Sequence, residues 1–175
     1  MVRTIYYFKK RLSSALSSFY QNITKRESII KGDEFENFLR EKIYTPDKYI
    51  LLHKTHSFSK GKAFVESSLY PDFLFKEKNT GEEFYVEAKY RSYLVNGKIE
   101  WCRKDQFDRY KKIAKDKKTL IAIGFKGRPT FSQKNYIVNI NDIDYPYLYP
   151  NTIKDYEYKS IKKGLVEQLK DKIYN

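Results

Sequence analysis

Asp72, Glu87 and Lys89 are the residues whose types and spacing bring a specific chemistry within reach. They lie in the stretch YPDFLFKEKNTGEEFYVEAKYR, Tyr70 to Arg91. Asp72 to Glu77 runs acid, Phe, Leu, Phe, Lys, Glu and reads as a strand, Asn79, Thr80 and Gly81 supply a turn, and Phe84 to Arg91 predicts a second strand. Strand side chains alternate, so Phe84, Val86, Ala88 and Tyr90 share one face and Tyr85, Glu87, Lys89 and Arg91 the other. A turn centred between Asn79 and Thr80 sets Asp72 opposite Glu87, with Cβ atoms about 5 Å apart. A three-residue loop shifts the pairing by one and leaves the two acids neighbours. Carboxylates this close disfavour joint ionisation. One lysine still leaves net negative charge, which favours a divalent cation. Carboxylate oxygens with a backbone carbonyl suit Mg²⁺. Such an ion can activate water and stabilise a leaving oxygen. Lys89 could position or deprotonate that water, or neutralise charge in the transition state. The competing reading is a cross-strand salt bridge on an exposed sheet face.

These residues need a sheet to hold them, and the rest of the chain supplies its parts. Ile5, Phe8, Leu12, Ala15, Leu16, Phe19 and Ile23 form one apolar stripe, which predicts an N-terminal amphipathic helix over residues 1–28. It would pack on the domain, on a second copy, or on a membrane surface. Gly32 is expected to break it and Asp33 to cap a second helix that buries Phe35, Phe38, Leu39 and Ile43 and ends before Pro46. Lys48 to His53 reads as a strand, followed by the basic loop KTHSFSKGK. Asn96-Gly97 marks a loop or small hairpin. RKDQFDRYKKIAKD predicts a helix with Phe107, Tyr110, Ile113 and Ala114 inward. Thr119 to Phe125 is an unbroken apolar run, as in a strand buried on both faces. Tyr136 to Ile140 reads as a further strand and Ser160 to Tyr174 as a closing helix. With no repeat or linker, one α/β domain over 1–175 is expected, with a core over 31–125 and a C-terminal strand and helix in 126–175.

Composition narrows the partners. The chain has 175 residues, with 35 Lys and Arg against 22 Asp and Glu, a net charge of +13. That suits a polyanion such as nucleic acid. Richness in Lys, Tyr, Ile, Phe and Asn would also follow from AT-rich codons, so charge alone decides nothing. The single cysteine, Cys102, excludes an intrachain disulfide and a cysteine-based zinc site and fits a cytoplasmic location. Lys9, Lys10 and Arg11 interrupt any signal-peptide core, and no apolar run predicts membrane insertion. His53 and His56 are too few for a metal site, and SKGK lacks the glycine and hydroxyl of a phosphate loop.

Pro71-Asp72, fourteen intervening residues and then Glu87-Ala88-Lys89 resemble the PD-(D/E)xK nuclease superfamily. The resemblance implies a restriction-endonuclease-like fold with an αβββαβ core and a mixed sheet flanked by helices. The predicted element order agrees, here with an extra N-terminal amphipathic helix. Gln106 and Tyr110 match the QxxxY pattern of some members, on the helix after the ExK strand. By this resemblance Asp72, Glu87 and the Ala88 carbonyl are metal ligands, and Glu36, with Glu34 as the second-choice register, completes the metal shell directly or through water. Lys89 is the catalytic lysine, and Gln106 orients Lys89 or the substrate backbone. The cofactor is Mg²⁺, with Mn²⁺ able to substitute. Lys54, Lys60, Lys62, Arg91, Arg103 and Arg109 surround the motif in sequence and are candidate nucleic-acid contacts. Tyr110 is a further candidate, although its place on the apolar stripe makes it a core residue first.

The expected activity is Mg²⁺-dependent hydrolysis of phosphodiester bonds, in DNA first with RNA left open. The N-terminal stripe allows a homodimer. The alternative is a nucleic-acid-binding module on the same fold that does not cleave, or a subunit serving a partner. A third reading gives the N-terminal basic helix a partner- or membrane-recruiting role.

Overall fold

An apolar strand needs cover on both faces, and that requirement organises this chain. The computed structural model describes residues 2–55 and 69–158, and within the first helix the side chains of 17, 18 and 22 onward. His56, Lys60 and Lys62 and the helix expected over Ser160 to Tyr174 lie outside the described residues. Strand β5 (Thr119–Arg128) is buried continuously from Thr119 to Phe125. It sits inside a five-stranded sheet with β1 (Tyr49–Lys54), β2 (Phe73–Glu77), β3 (Glu83–Arg91) and β6 (Phe131–Asn139), in the order β1-β2-β3-β5-β6. The β1–β2, β2–β3 and β5–β6 pairs are antiparallel, and β3–β5 is parallel. A parallel pair needs a long crossover. Here helix α2 (Lys104–Ile113) provides it, preceded by the short strand β4 (Ile99–Glu100), which pairs with β7 (Tyr147–Leu148). The turn before β4 has Asn96 and Gly97 at φ 49° and 76°, the left-handed pair that an Asn-Gly hairpin requires.

Helix α1 (Val2–Phe38) covers one face of the sheet and α2 the other. Phe35, Phe38 and Leu39 pack with Phe73, Phe75, Phe84, Val86 and Ala88. Phe107 and Tyr110 of α2 pack with Ile121, Ile123, Tyr136 and Val138. Alternation along β5 divides it between the two cores, Leu120 and Ala122 on the α1 side and Ile121 and Ile123 on the α2 side. The order helix, three antiparallel strands, helix and a strand parallel to the third is the αβββαβ arrangement expected above.

The helix break expected at Gly32 does not occur. One helix runs from Val2 through Gly32 to Phe38 and ends in a wider turn, Leu39–Ile43. A glycine inside a helix costs about 1 kcal/mol, and the Phe35–Phe38–Leu39 anchor on the sheet outweighs it. The Tyr44 N–H closes that last turn on the Leu39 carbonyl at 2.7 Å. The helix is about 55 Å long at 1.5 Å per residue, and its C-terminal end packs on the sheet through Phe35 and Phe38. Ile23, the last residue of the expected stripe, is 48% exposed, so this part of the stripe does not pack on the domain.

Close contact between α1 and the sheet depends on Gly124 in β5. A Cβ there would stand 2.5 Å from the Phe35 ring, which is fully buried between Phe38 and Tyr90 and has no room to withdraw. Gly124→Ala is therefore expected to cost about 1–3 kcal/mol and to lower the thermal midpoint by ~2–4 °C per kcal/mol. An unchanged midpoint in a melting experiment would contradict this packing.

Candidate active site

The β2–β3 ladder pairs Phe73 with Val86, Leu74 with Tyr85 and Phe75 with Phe84. One step further sets Asp72 opposite Glu87, the register expected from the turn. The two acids are tied reciprocally. The Asp72 N–H donates to Glu87 Oε2 at 3.2 Å, and the Ala88 N–H donates to Asp72 Oδ2 at 2.8 Å. One step beyond, Pro71 falls opposite Ala88. Proline has no N–H, so it offers the Ala88 carbonyl no ladder bond. Thr55, just after β1, holds this corner: its N–H donates to the Asp72 carbonyl and its hydroxyl to the Pro71 carbonyl, both at 2.9 Å.

Glu87 is 1% exposed. A buried carboxylate is costly unless donors reach it, and here they come from three directions. Besides the Asp72 N–H, the Tyr110 hydroxyl donates to Oε2 at 2.8 Å and Gln106 Nε2 to Oε1 at 3.2 Å. Lys89 Nζ forms an ion pair with Oε1. Gln106 also donates to the Tyr110 oxygen at 2.9 Å, so the two residues one helical turn apart act together on one acid. Gln106 thus contacts Glu87, where the resemblance led to Lys89 or substrate. Tyr110 is 2% exposed and holds Glu87 from inside, which rules it out as a surface contact to nucleic acid.

Charge is unbalanced at Asp72. Burial and the neighbouring Glu87 push its carboxyl up to about 8, against the pull of Lys89. For Lys89, burial lowers the pKa, but the charges of Glu87 and Asp72 and the bond to Glu87 outweigh it, and the ammonium is held above its usual range. Burial lowers Arg91, whose guanidinium donates to three carbonyls, those of Glu100 (2.6 Å), Trp101 (2.8 Å) and Tyr90 (2.9 Å). Among the described residues no carboxylate pairs with it.

These groups line a cleft of about 430 Å³ between α1 and the sheet, which also takes in Glu36, Ser28 and Gly32. Ser28, Gly32 and Glu36 are spaced four apart and share one helix face. That spacing was available as a signal, but an assumed break at Gly32 hides it. Glu36 Oε2 is held by Lys54 Nζ at 2.9 Å. Arg109 donates to the Leu69 carbonyl at 2.9 Å and anchors the segment before Pro71. Arg103 is solvent-facing and paired with Asp105. Of the basic candidates, Arg91 lines the cleft and Lys54 reaches Glu36 in it, while Arg109 ties down the Leu69 carbonyl and Arg103 lies on the surface.

Among the described residues no group of three or more His, Cys, Asp or Glu side chains stands ready to hold a metal ion. Asp72 and Glu87 are a pair of hard oxygen donors with a negative charge that Lys89 alone does not balance. That donor set fits one hard divalent cation, with the Ala88 carbonyl as a third oxygen.

The strain at Asp72 has a measurable sign. An unfolded aspartate titrates near 4. In metal-free protein the folded state therefore keeps a proton that the unfolded chain has lost, and stability falls as pH rises from about 4 to about 8. Asp72→Asn removes the charge and keeps an acceptor for the Ala88 N–H. In EDTA its thermal midpoint should match wild type near pH 4 and exceed it increasingly up to about pH 8, by ~2–4 °C per kcal/mol relieved. A constant difference across that range would count against a strained Asp72.

No family model matches the chain. No curated protein matches it. Among solved structures it is similar to Hjc, a Holliday junction resolvase from the archaeal hyperthermophile Archaeoglobus fulgidus. The two are 11% identical, the match covers 61% of this chain and 79% of that chain, and the TM-score is 0.43.

Proposed function

We propose that this chain is a divalent-metal-dependent nuclease that hydrolyses phosphodiester bonds, in DNA first. The observation that carries the reading is the pairing of half-buried Asp72 with buried Glu87, tied backbone to side chain in both directions, with Lys89 on the Glu87 carboxylate. A salt bridge kept only for stability needs one acid and one base. A second acid pressed against the first costs stability and is explained by a ligand of opposite charge.

Asp72, Glu87 and the Ala88 carbonyl would hold Mg²⁺, with Mn²⁺ as substitute. When bound, the ion supplies Lewis-acid charge beside the scissile phosphate. The protein's own residues do the rest. Tyr110 and Gln106 fix the Glu87 carboxylate in one orientation, a role whose loss commonly costs 10–100-fold (about) in metal affinity or activity. Lys89 presents its ammonium to the charge that grows on the phosphoryl oxygens as water attacks phosphorus and the bond to the leaving sugar oxygen breaks. Arg91, fixed by three carbonyls, offers a second positive charge for the backbone phosphates.

The test is cleavage of linear, supercoiled, single-stranded and four-way-junction DNA with Mg²⁺, Mn²⁺ or EDTA. Wild type should cut only with metal. Glu87→Gln, which keeps the side-chain volume, should lose at least about a hundredfold in rate while still binding DNA. Full activity of Glu87→Gln, or cutting in EDTA, would overturn the proposal. Metal-independent binding without cutting by either protein would favour a non-cleaving nucleic-acid-binding module.

A further inference from the structure

The cleft holds a second ion pair, Glu36–Lys54, with a 2.9 Å contact between side chains only 19% and 35% exposed. Glu36 comes from α1. Lys54 ends β1, where it pairs with Phe73 of β2, and its ammonium also lies 5.6 Å from the centre of the Phe73 ring. Backbone register and the ring fix the lysine beside the start of β2, next to Asp72. Glu36 and Asp72 line the same cleft.

Counting charge along the cleft separates the carboxylates. Glu87 is paired with Lys89 and Glu36 with Lys54. Among the described residues Asp72 has no lysine of its own. Asp33 and Arg91 also line the cleft with opposite signs, and neither is paired with the other. With every carboxyl ionised, as metal binding requires, one acidic charge is left over among the described residues, on the residue that the two ion pairs flank. A single divalent cation answers that charge. The first ion already shares Glu87 with the Lys89 ammonium, and a second would have to displace the Lys54 ammonium from Glu36 as well, which would crowd two cations and two ammonium groups into one cleft.

We infer that Lys54 stands in the place of a second metal ion: the site takes one divalent cation on Asp72 and Glu87, and Glu36 is the counter-charge of Lys54 and not a metal ligand. This rests on the metal-dependent reading above and narrows it.

The test is Mn²⁺ binding to the full chain without nucleic acid, counted by electron paramagnetic resonance of the free ion. Each variant is first matched to wild type by circular dichroism. Wild type should bind one Mn²⁺. Lys54→Met frees the Glu36 carboxylate in the same cleft as Asp72, which gives a further pair of acidic ligands, and should gain a second. The double variant Glu36→Gln/Lys54→Met deletes the pair together and should return to one ion, with a Kd within about threefold of wild type. Two ions on wild type would overturn the inference. So would a Lys54→Met protein that stays at one ion, or a double variant whose Kd rises tenfold or more (about 1.4 kcal/mol), which would make Glu36 a ligand. No Mn²⁺ on wild type is a different result, because it removes the metal-dependent reading itself.

Discussion

The buried carboxylate of Glu87 is the constraint on which this structure turns. A charge with almost no water must be met by donors, and those donors come from separate elements. The start of β2 contributes the Asp72 N–H, β3 contributes Lys89, and α2 contributes Gln106 and Tyr110. Each fixes one degree of freedom. The Asp72 contact ends the β2–β3 ladder in register. The α2 contacts fix the rotation of the crossover helix about its axis, because the same helix must also bury Phe107 and Tyr110 against β5. Glu87 is thus a joint between the sheet and α2 as well as a site residue.

The other wall of the cleft is held by packing. Phe35 enters the space over Gly124, and this brings α1 close enough for Glu36 to reach Lys54. A helix that stood further off would leave Glu36 in water and widen the cleft. Pro71 contributes by subtraction: its missing N–H stops the ladder one pair short of the Ala88 carbonyl. Apolar contact, a close-approach glycine and a ladder-ending proline together build a pocket whose polar groups face inward without being consumed by the sheet.

Much of this was legible in the sequence, for identifiable reasons. Alternation along β3 and the turn residues Asn79, Thr80 and Gly81 made Asp72 and Glu87 readable as neighbours under either loop length, because a strand side chain has only two directions to choose from. The continuous apolar run of β5 and the stripe of α2 were equally clear. The helix at the start was misjudged at Gly32, since a local propensity of about 1 kcal/mol could not be weighed against packing partners distant in sequence. The same error hid Ser28 and Gly32 as cleft-lining positions. Pairing of charges was legible only within one hairpin. Lys54 and Glu36 lie on different elements, and nothing local marks them as partners. Arg91 and Arg109 looked alike as basic residues, and only tertiary structure separates a guanidinium in the cleft from one that ties down the Leu69 carbonyl.

The central claim is that the excess negative charge between Asp72 and Glu87 exists to hold a cation. A crystal structure of the chain grown with Mn²⁺, with anomalous scattering recorded at the manganese edge, addresses it without reference to any substrate. The account predicts one anomalous peak about 2.0–2.3 Å from oxygens of both Asp72 and Glu87, with the Glu36–Lys54 pair intact. A map with no peak there, and Lys89 still closed on Glu87 at saturating Mn²⁺, would contradict it. The cluster would then be a buried structural ion pair with a strained neighbour.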